Sequence, residues 1–175
     1  MELVIQVARP CICSYQAGMC LERSLLSAQG YIELEMPDEA LKELDTLAPR
    51  DQLRPEALQM RLFVVMHAKR WEQALSVCAR LRAVAPEDTT GYIHGAFCLH
   101  EMGRTSEAKE LLLAGPSSLL SEPTYHYNLG CYDAALGNLK EASQHLETSF
   151  RMDKKFREIA KVDPDLKAIQ RLFGT

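Results

Sequence analysis

The sequence has no run of apolar residues near the ~18 that a membrane-crossing helix needs, no surplus of basic charge, and little proline or glycine. Each absence excludes something. Without the long apolar run there is no membrane-spanning segment to expect. Lys and Arg number 20 against 24 Asp and Glu, a net charge of −4, which argues against a protein that coats nucleic acid. The opening MELVIQVARP has no basic leader, and Gln6 and Arg9 interrupt its apolar stretch, so it makes a poor signal peptide. Signatures of catalysis are missing too: no GxxxxGK[ST], no GxGxxG after a strand, no HExxH and no GxSxG. With 47% hydrophobic and 25% charged residues, 175 residues are enough for one folded domain and argue against wholesale disorder. The expectation is a soluble, cytoplasmic, non-enzymatic protein with no cofactor.

Six cysteines are present, at 11, 13, 20, 78, 98 and 131. Cys78, Cys98 and Cys131 fall in apolar helical stretches, where a free thiol behaves as a small hydrophobe. With no export signal, reduced thiols are expected. Cys11-x-Cys13 followed by Cys20 superficially resembles metal-ligand spacing, but paired CxxC knuckles are missing and the nearest histidine is His67. No metal site is expected. Cys98 lies four residues from His94, yet such a pair without an orienting third group makes a weak case for nucleophilic chemistry.

What is present is a period. After residue 20 apolar residues recur at three- and four-residue intervals, the pattern of amphipathic helices, with no alternating strand pattern. Glu39-Ala40, Gln73-Ala74, Glu107-Ala108 and Glu141-Ala142 place an alanine every 34 residues. Four residues beyond come Leu44, Cys78, Leu112 and Leu146, and twelve residues before come Ala28, Leu62, Ala96 and Gly130. A 34-residue unit of this kind resembles the tetratricopeptide repeat, a helix A and helix B joined by a turn. Units three and four carry it most clearly, with Tyr92, Ala96, Gly103, Ala108 and Leu112 in one and Leu129, Gly130, Gly137, Ala142 and Leu146 in the other. In unit two, Trp71 takes the family's aromatic position and Pro86 its closing proline.

The resemblance covers residues 21–154 and implies an all-α fold, an α-solenoid of four stacked antiparallel helix pairs. Helices are expected near 20–34, 38–47, 55–68, 71–84, 89–102, 105–113, 123–136 and 139–152. Unit one lacks the turn glycine and has Pro37 for the first turn of helix B. Leu62 occupies a normally small position, so the helix pair of unit two should be splayed or shifted. Gly115-Pro116 should stop helix B of unit three. Residues 155–175 read as two short capping helices, the second opened by Asp163 and Pro164 with Leu166, Ile169, Leu172 and Phe173 on one side. Residues 1–19 have no place in the repeat. They read either as a disordered leader or as an apolar segment that docks in a groove, its own or that of a second copy in a homodimer.

The resemblance also implies where function lies. In the family the A helices line a concave groove that holds a peptide or a helix of another protein. Carried onto this chain, the groove is lined by Ile32, Phe63, Met66, His67, Ile93, Phe97, His100, Tyr127 and Cys131. None of the inward positions is Lys, Arg or Asn, so the carboxylate clamp that some members use on chaperone tails is not expected. The apolar strip instead suits apolar side chains of a protein partner. The alternatives are that these side chains are core shared between neighbouring A helices, or that the chain resembles the small acidic tetratricopeptide chaperones of bacterial secretion systems. Against the chaperone, the VDPDLKAI tail is similar to that of general bacterial repeat proteins. If the 34-residue register is right, Ala108→Leu should overpack a helix crossing and lower unfolding stability by about 1–3 kcal/mol in denaturant titration.

Overall fold

The computed structural model describes residues 12–167 and 169, with side chains from Cys20 onward. Of nine α-helices among those residues, eight run in antiparallel pairs: α1 (Ile12–Glu33) with α2 (Pro37–Asp45), α3 (Pro55–His67) with α4 (Trp71–Val84), α5 (Thr90–Glu101) with α6 (Thr105–Leu113), and α7 (Pro123–Ala135) with α8 (Leu139–Met152). The chain closes with α9 (Lys155–Ala160) and a 3-10 turn at Pro164–Leu166; a second 3-10 turn, Ser117–Ser121, bridges α6 and α7. Proline opens α2, α3 and α7, where its missing N–H costs no helical hydrogen bond. α2 stops ahead of Pro49 and, as expected, α6 stops ahead of Gly115-Pro116. The first helix departs from expectation by starting at Ile12. Pro10 is the last proline before Pro37, so nothing in the sequence forces a start at residue 20. The leader thus divides: residues 12–19 continue α1, and the docking of residues 1–11 lies outside the described residues, as do Leu172 and Phe173 of the tail.

Every A-to-B turn is built alike. Residues 35, 69, 103 and 137 have φ of 57°, 54°, 77° and 83°. In each case the N–H of the next residue reaches back five positions: Met36 to Tyr31, Arg70 to Val65, Arg104 to Leu99 and Asn138 to Asp133, at 2.8–2.9 Å. This left-handed closure satisfies carbonyls that a helix end leaves unpaired. Glycine takes the conformation at 103 and 137 without strain. Glu35 and Lys69 take it with a Cβ, a position disfavoured for L-residues. The register therefore survives in units one and two without its glycine, because the two reverse hydrogen bonds and the packing beneath them hold the turn.

Helix pairs are locked by small residues. Ala40, Ala74, Ala108 and Ala142 have no exposed surface at all, and neither have Ala28 and Ala96. At Gly130 the fit is tighter still, since a Cβ there would stand 2.6 Å from Leu146 Cγ. Leu62 is buried among Leu58, Val65 and Cys78, and α3 accordingly meets α4 less closely than α7 meets α8. The burial forms three successive clusters, one per neighbouring pair of units, as expected where no unit buries its own apolar face.

Two further features shape the stack. Gly91 and Gly95, one helical turn apart, let α5 settle onto α4: a Cβ at 91 would lie 3.0 Å from the Cys78 carbonyl oxygen, and one at 95 would lie 3.4 Å from Cys78 Cβ. In consequence α5 packs far more closely on α4 than on α3. At the other end, Asp133 is wholly buried and accepts hydrogen bonds from Lys109 Nζ and Asn138 Nδ2, tying α6, α7 and the turn before α8 together. α9 then caps the last unit with Phe156 and Ala160. Lys69→Gly should relieve the left-handed side chain and stabilise the fold by about 0.5–1 kcal/mol, while Gly103→Ala should cost about 1 kcal/mol. Equilibrium urea unfolding of the two variants, which should move in opposite directions, checks the common turn geometry.

Candidate binding groove

The A-helix face of the stack has two unlike halves. Between α3 and α5 lies an open depression of about 500 Å3, lined by Gln59, Leu62, Phe63, Met66, His67, Thr90 and His94. It exists because Gly91 and Gly95 draw α5 toward α4 and away from α3. Phe63 stands 54% exposed on its rim, an aromatic ring left in water by a chain with core sites for others. Met66 is half-buried beneath it, and the His67 ring lies 6.4 Å from that of Phe63. Of the residues expected in the groove, Phe63, Met66 and His67 line this depression. Phe97 instead packs edge-on against Trp71 at 5.8 Å between ring centres, and Ile93 leans on the core of units three and four. Ile32 is buried with Leu21, Ala28 and Leu44 in unit one.

The half over α5 and α7 is filled by the chain itself. The 3-10 turn at Pro164–Leu166 lies against α7. Tyr127 Oη donates to Asp163 at 2.6 Å, and Cys131 Sγ is 3.8 Å from the same carboxylate oxygen. His100 Nε2 meets Asp165 Oδ2 at 3.1 Å while its Nδ1 faces Thr105 Oγ1 at 2.9 Å. A carboxylate only accepts, so the proton shared with Asp165 is carried by His100 Nε2. Tyr127, Cys131 and His100, expected to face a guest, thus hold the chain's own acidic turn. Burial first, then the hydrogen bond to Asp163, holds the Tyr127 phenol well above its usual value.

The three buried thiols are shifted away from their reactive form. Burial pushes the Cys78 thiol up to about 12 and Cys98 up to about 11. Cys131 is raised as well, by burial and then by the neighbouring Asp163 carboxylate. An activated thiol needs the opposite shift. Cys20 is a free, exposed thiol. Among the described residues no three His, Cys, Asp or Glu side chains come together as metal ligands, and no helix is long and apolar enough to cross a membrane.

No known family profile matches the sequence, and no curated protein matches it significantly. Solved structures do. The chain superposes on MamA residues 41 to the end from Desulfovibrio magneticus RS-1 with a TM-score of 0.70 over 89% of this chain and 91% of that one, at 16% identity. A second crystal structure of MamA gives 0.67, covering 79% and 81% at 17% identity. A MamA designated MSR-1 C2 gives 0.64, covering 77% and 78% at 14% identity. The fold is a tetratricopeptide-repeat solenoid. Sequence identity this low is compatible with such agreement because the repeat specifies small and apolar types at spaced positions and leaves the remainder free.

Sequence reasoning missed Leu62, Thr90 and His94 as one lining, although Thr90 stands among the inward positions of the solenoid and His94 is one residue past Ile93. The gap between α3 and α5 is what unites them, and its only trace in the sequence is the Gly91/Gly95 pair. Burial holds His94 below the usual histidine range, and holds His145 there too despite the opposing pull of Asp133. Both groups bind a proton more weakly folded than unfolded, so their contribution is intact above pH ~6.5 and is lost as pH falls below it. Melting temperature should drop on acidification from about pH 7.5 to about pH 5.5, and the His94→Asn, His145→Asn double variant should show a shallower slope over that interval in calorimetry.

Proposed function

We propose that the chain is a non-enzymatic protein-interaction scaffold that holds a peptide or helix of another protein against its A-helix face, seating an apolar side chain between α3 and α5. The observation that carries this is Phe63, more than half exposed above half-buried Met66 at the mouth of a depression of about 500 Å3. Exposing a ring costs free energy unless something covers it, and aromatic and methionine side chains recur as anchors in such contacts. The seven lining residues carry no Lys, Arg, Asp or Glu, so the guest side chain is read by shape and apolarity. The same lining favours, as a second reading, a small chaperone that shields apolar segments of its substrate.

Phe63→Glu places a carboxylate where a guest would have to desolvate it. With the wild-type chain as bait in its native host, the variant should retain the partner roughly tenfold less or worse, as read by quantitative mass spectrometry, with helicity unchanged by circular dichroism. Equal retention removes the depression from the binding surface. Loss of helicity assigns Phe63 to the fold.

A further inference from the structure

The way the tail sits carries information about what the second half of the groove recognises. Four side chains of one short segment point into it. Asp163 meets Tyr127 and Cys131, Asp165 meets His100, and Leu166 and Ile169 are buried to 0% and 1% exposure in the cluster shared by α7 and α8. The segment therefore presents two carboxylates two residues apart, then apolar residues one and four positions on, with Pro164 stiffening the turn and Asp163 Oδ1 accepting from the Asp165 N–H at 3.0 Å. The receiving side chains occupy A-helix positions of units three and four, where the repeat architecture places a guest. They are a phenol, a thiol and an imidazole, three donors with no lysine or arginine among them.

Attachment of this segment differs from that of the cap before it. Phe156 and Ala160 are buried in the core of unit four, and Phe156 packs on Tyr127 with ring centres 5.0 Å apart, so α9 has its own anchors. Between the two lies exposed Lys161-Val162, and Lys167 beyond is exposed as well. A contact made by a phenol, a thiol, an imidazole and two apolar side chains, with no lysine or arginine, is weak between separate molecules. Tethered by two residues to α9, it is filled because the tether supplies an effective concentration on the order of millimolar.

We propose that units three and four form a recognition site for a short segment of pattern acid-Pro-acid-apolar-x-x-apolar, that residues 163–167 and Ile169 occupy it as a displaceable internal ligand, and that a partner segment of the same chemistry enters by exchange with them. The site rests on the reading of the A-helix face as a binding surface but uses none of the residues around Phe63. A guest that engages both halves must displace the tail, which makes the tail a threshold against apolar segments lacking the acidic pair.

The test uses the full-length chain and a fluorescent peptide of sequence Lys161–Gln170, followed by anisotropy. A variant combining Asp163→Asn, Asp165→Asn and Leu166→Ala empties the site while leaving α9 in place. The peptide should bind this variant at least about tenfold more tightly than wild type, and adding Tyr127→Phe should weaken that binding severalfold. Adding Phe63→Glu should leave it unchanged, which separates failure of this site from failure of the open depression. Equal binding to both chains, or binding to neither, overturns the proposal. So does loss of helicity in the tail variant, which would make the segment fixed core. In the wild-type chain, amides of residues 163–167 and Ile169 should exchange with deuterium faster than those of α7 and α8; exchange at the α7 rate also overturns it.

Discussion

The structure depends on how near two helix backbones approach at the small residue in the middle of each pair. Ala28, Ala96 and Gly130 on one side and Ala40, Ala74, Ala108 and Ala142 on the other leave no surface between helices. That contact is steric before it is energetic: a larger side chain would push the helices apart and tilt every unit that follows. Repetition of the same close approach every 34 residues sets the direction of the stack, and the left-handed turns at 35, 69, 103 and 137 return the chain to it. Where the small residue is replaced, as at Leu62, the pair loosens, and the looseness appears next to the open depression.

The groove follows from a competition for α5. Gly91 and Gly95 give α4 a smooth surface to press against, and a helix cannot lie tightly on both neighbours when one of them, α3, carries Leu62 and Phe63 on its facing side. α5 goes to α4. The space left against α3 is open to solvent, with Phe63 exposed at its rim. One turn further on, the same A-helix surface is covered by the chain's last described residues, so open and covered halves adjoin along a single face. His100 is central to this arrangement, its ring tilted against that of Tyr132 with centres 4.9 Å apart while bridging Thr105 and Asp165.

Helix positions were legible in the sequence because the constraints that fix them are local and periodic: an alanine every 34 residues, prolines at helix starts, Gly115-Pro116 as a stop. Less legible was anything set by the relation of one unit to the next. Phe97 stands in the groove register, yet Trp71 from the preceding helix captures it, since an aromatic ring takes an available edge contact over solvent. Tyr127, Cys131 and His100 lie on the helices the period marks as A, but that the chain's own Asp163 and Asp165 would meet them depends on a contact spanning 65 residues between His100 and Asp165. The turn at Lys69 was invisible for another reason: lysine gives no sign of a left-handed backbone, and only the hydrogen bonds to Val65 and Met66 reveal it.

The return of the tail to α7 and α5 also has a bearing on biosynthesis. Domains form progressively as a chain emerges, N-terminal parts first. Units one to three, including α5 and the depression beside it, are complete by Leu113, whereas the segment that covers His100, Tyr127 and Cys131 emerges some fifty residues later in the chain. During synthesis there is therefore an interval in which the A helices of units three and four have formed while His100, Tyr127 and Cys131 are still uncovered.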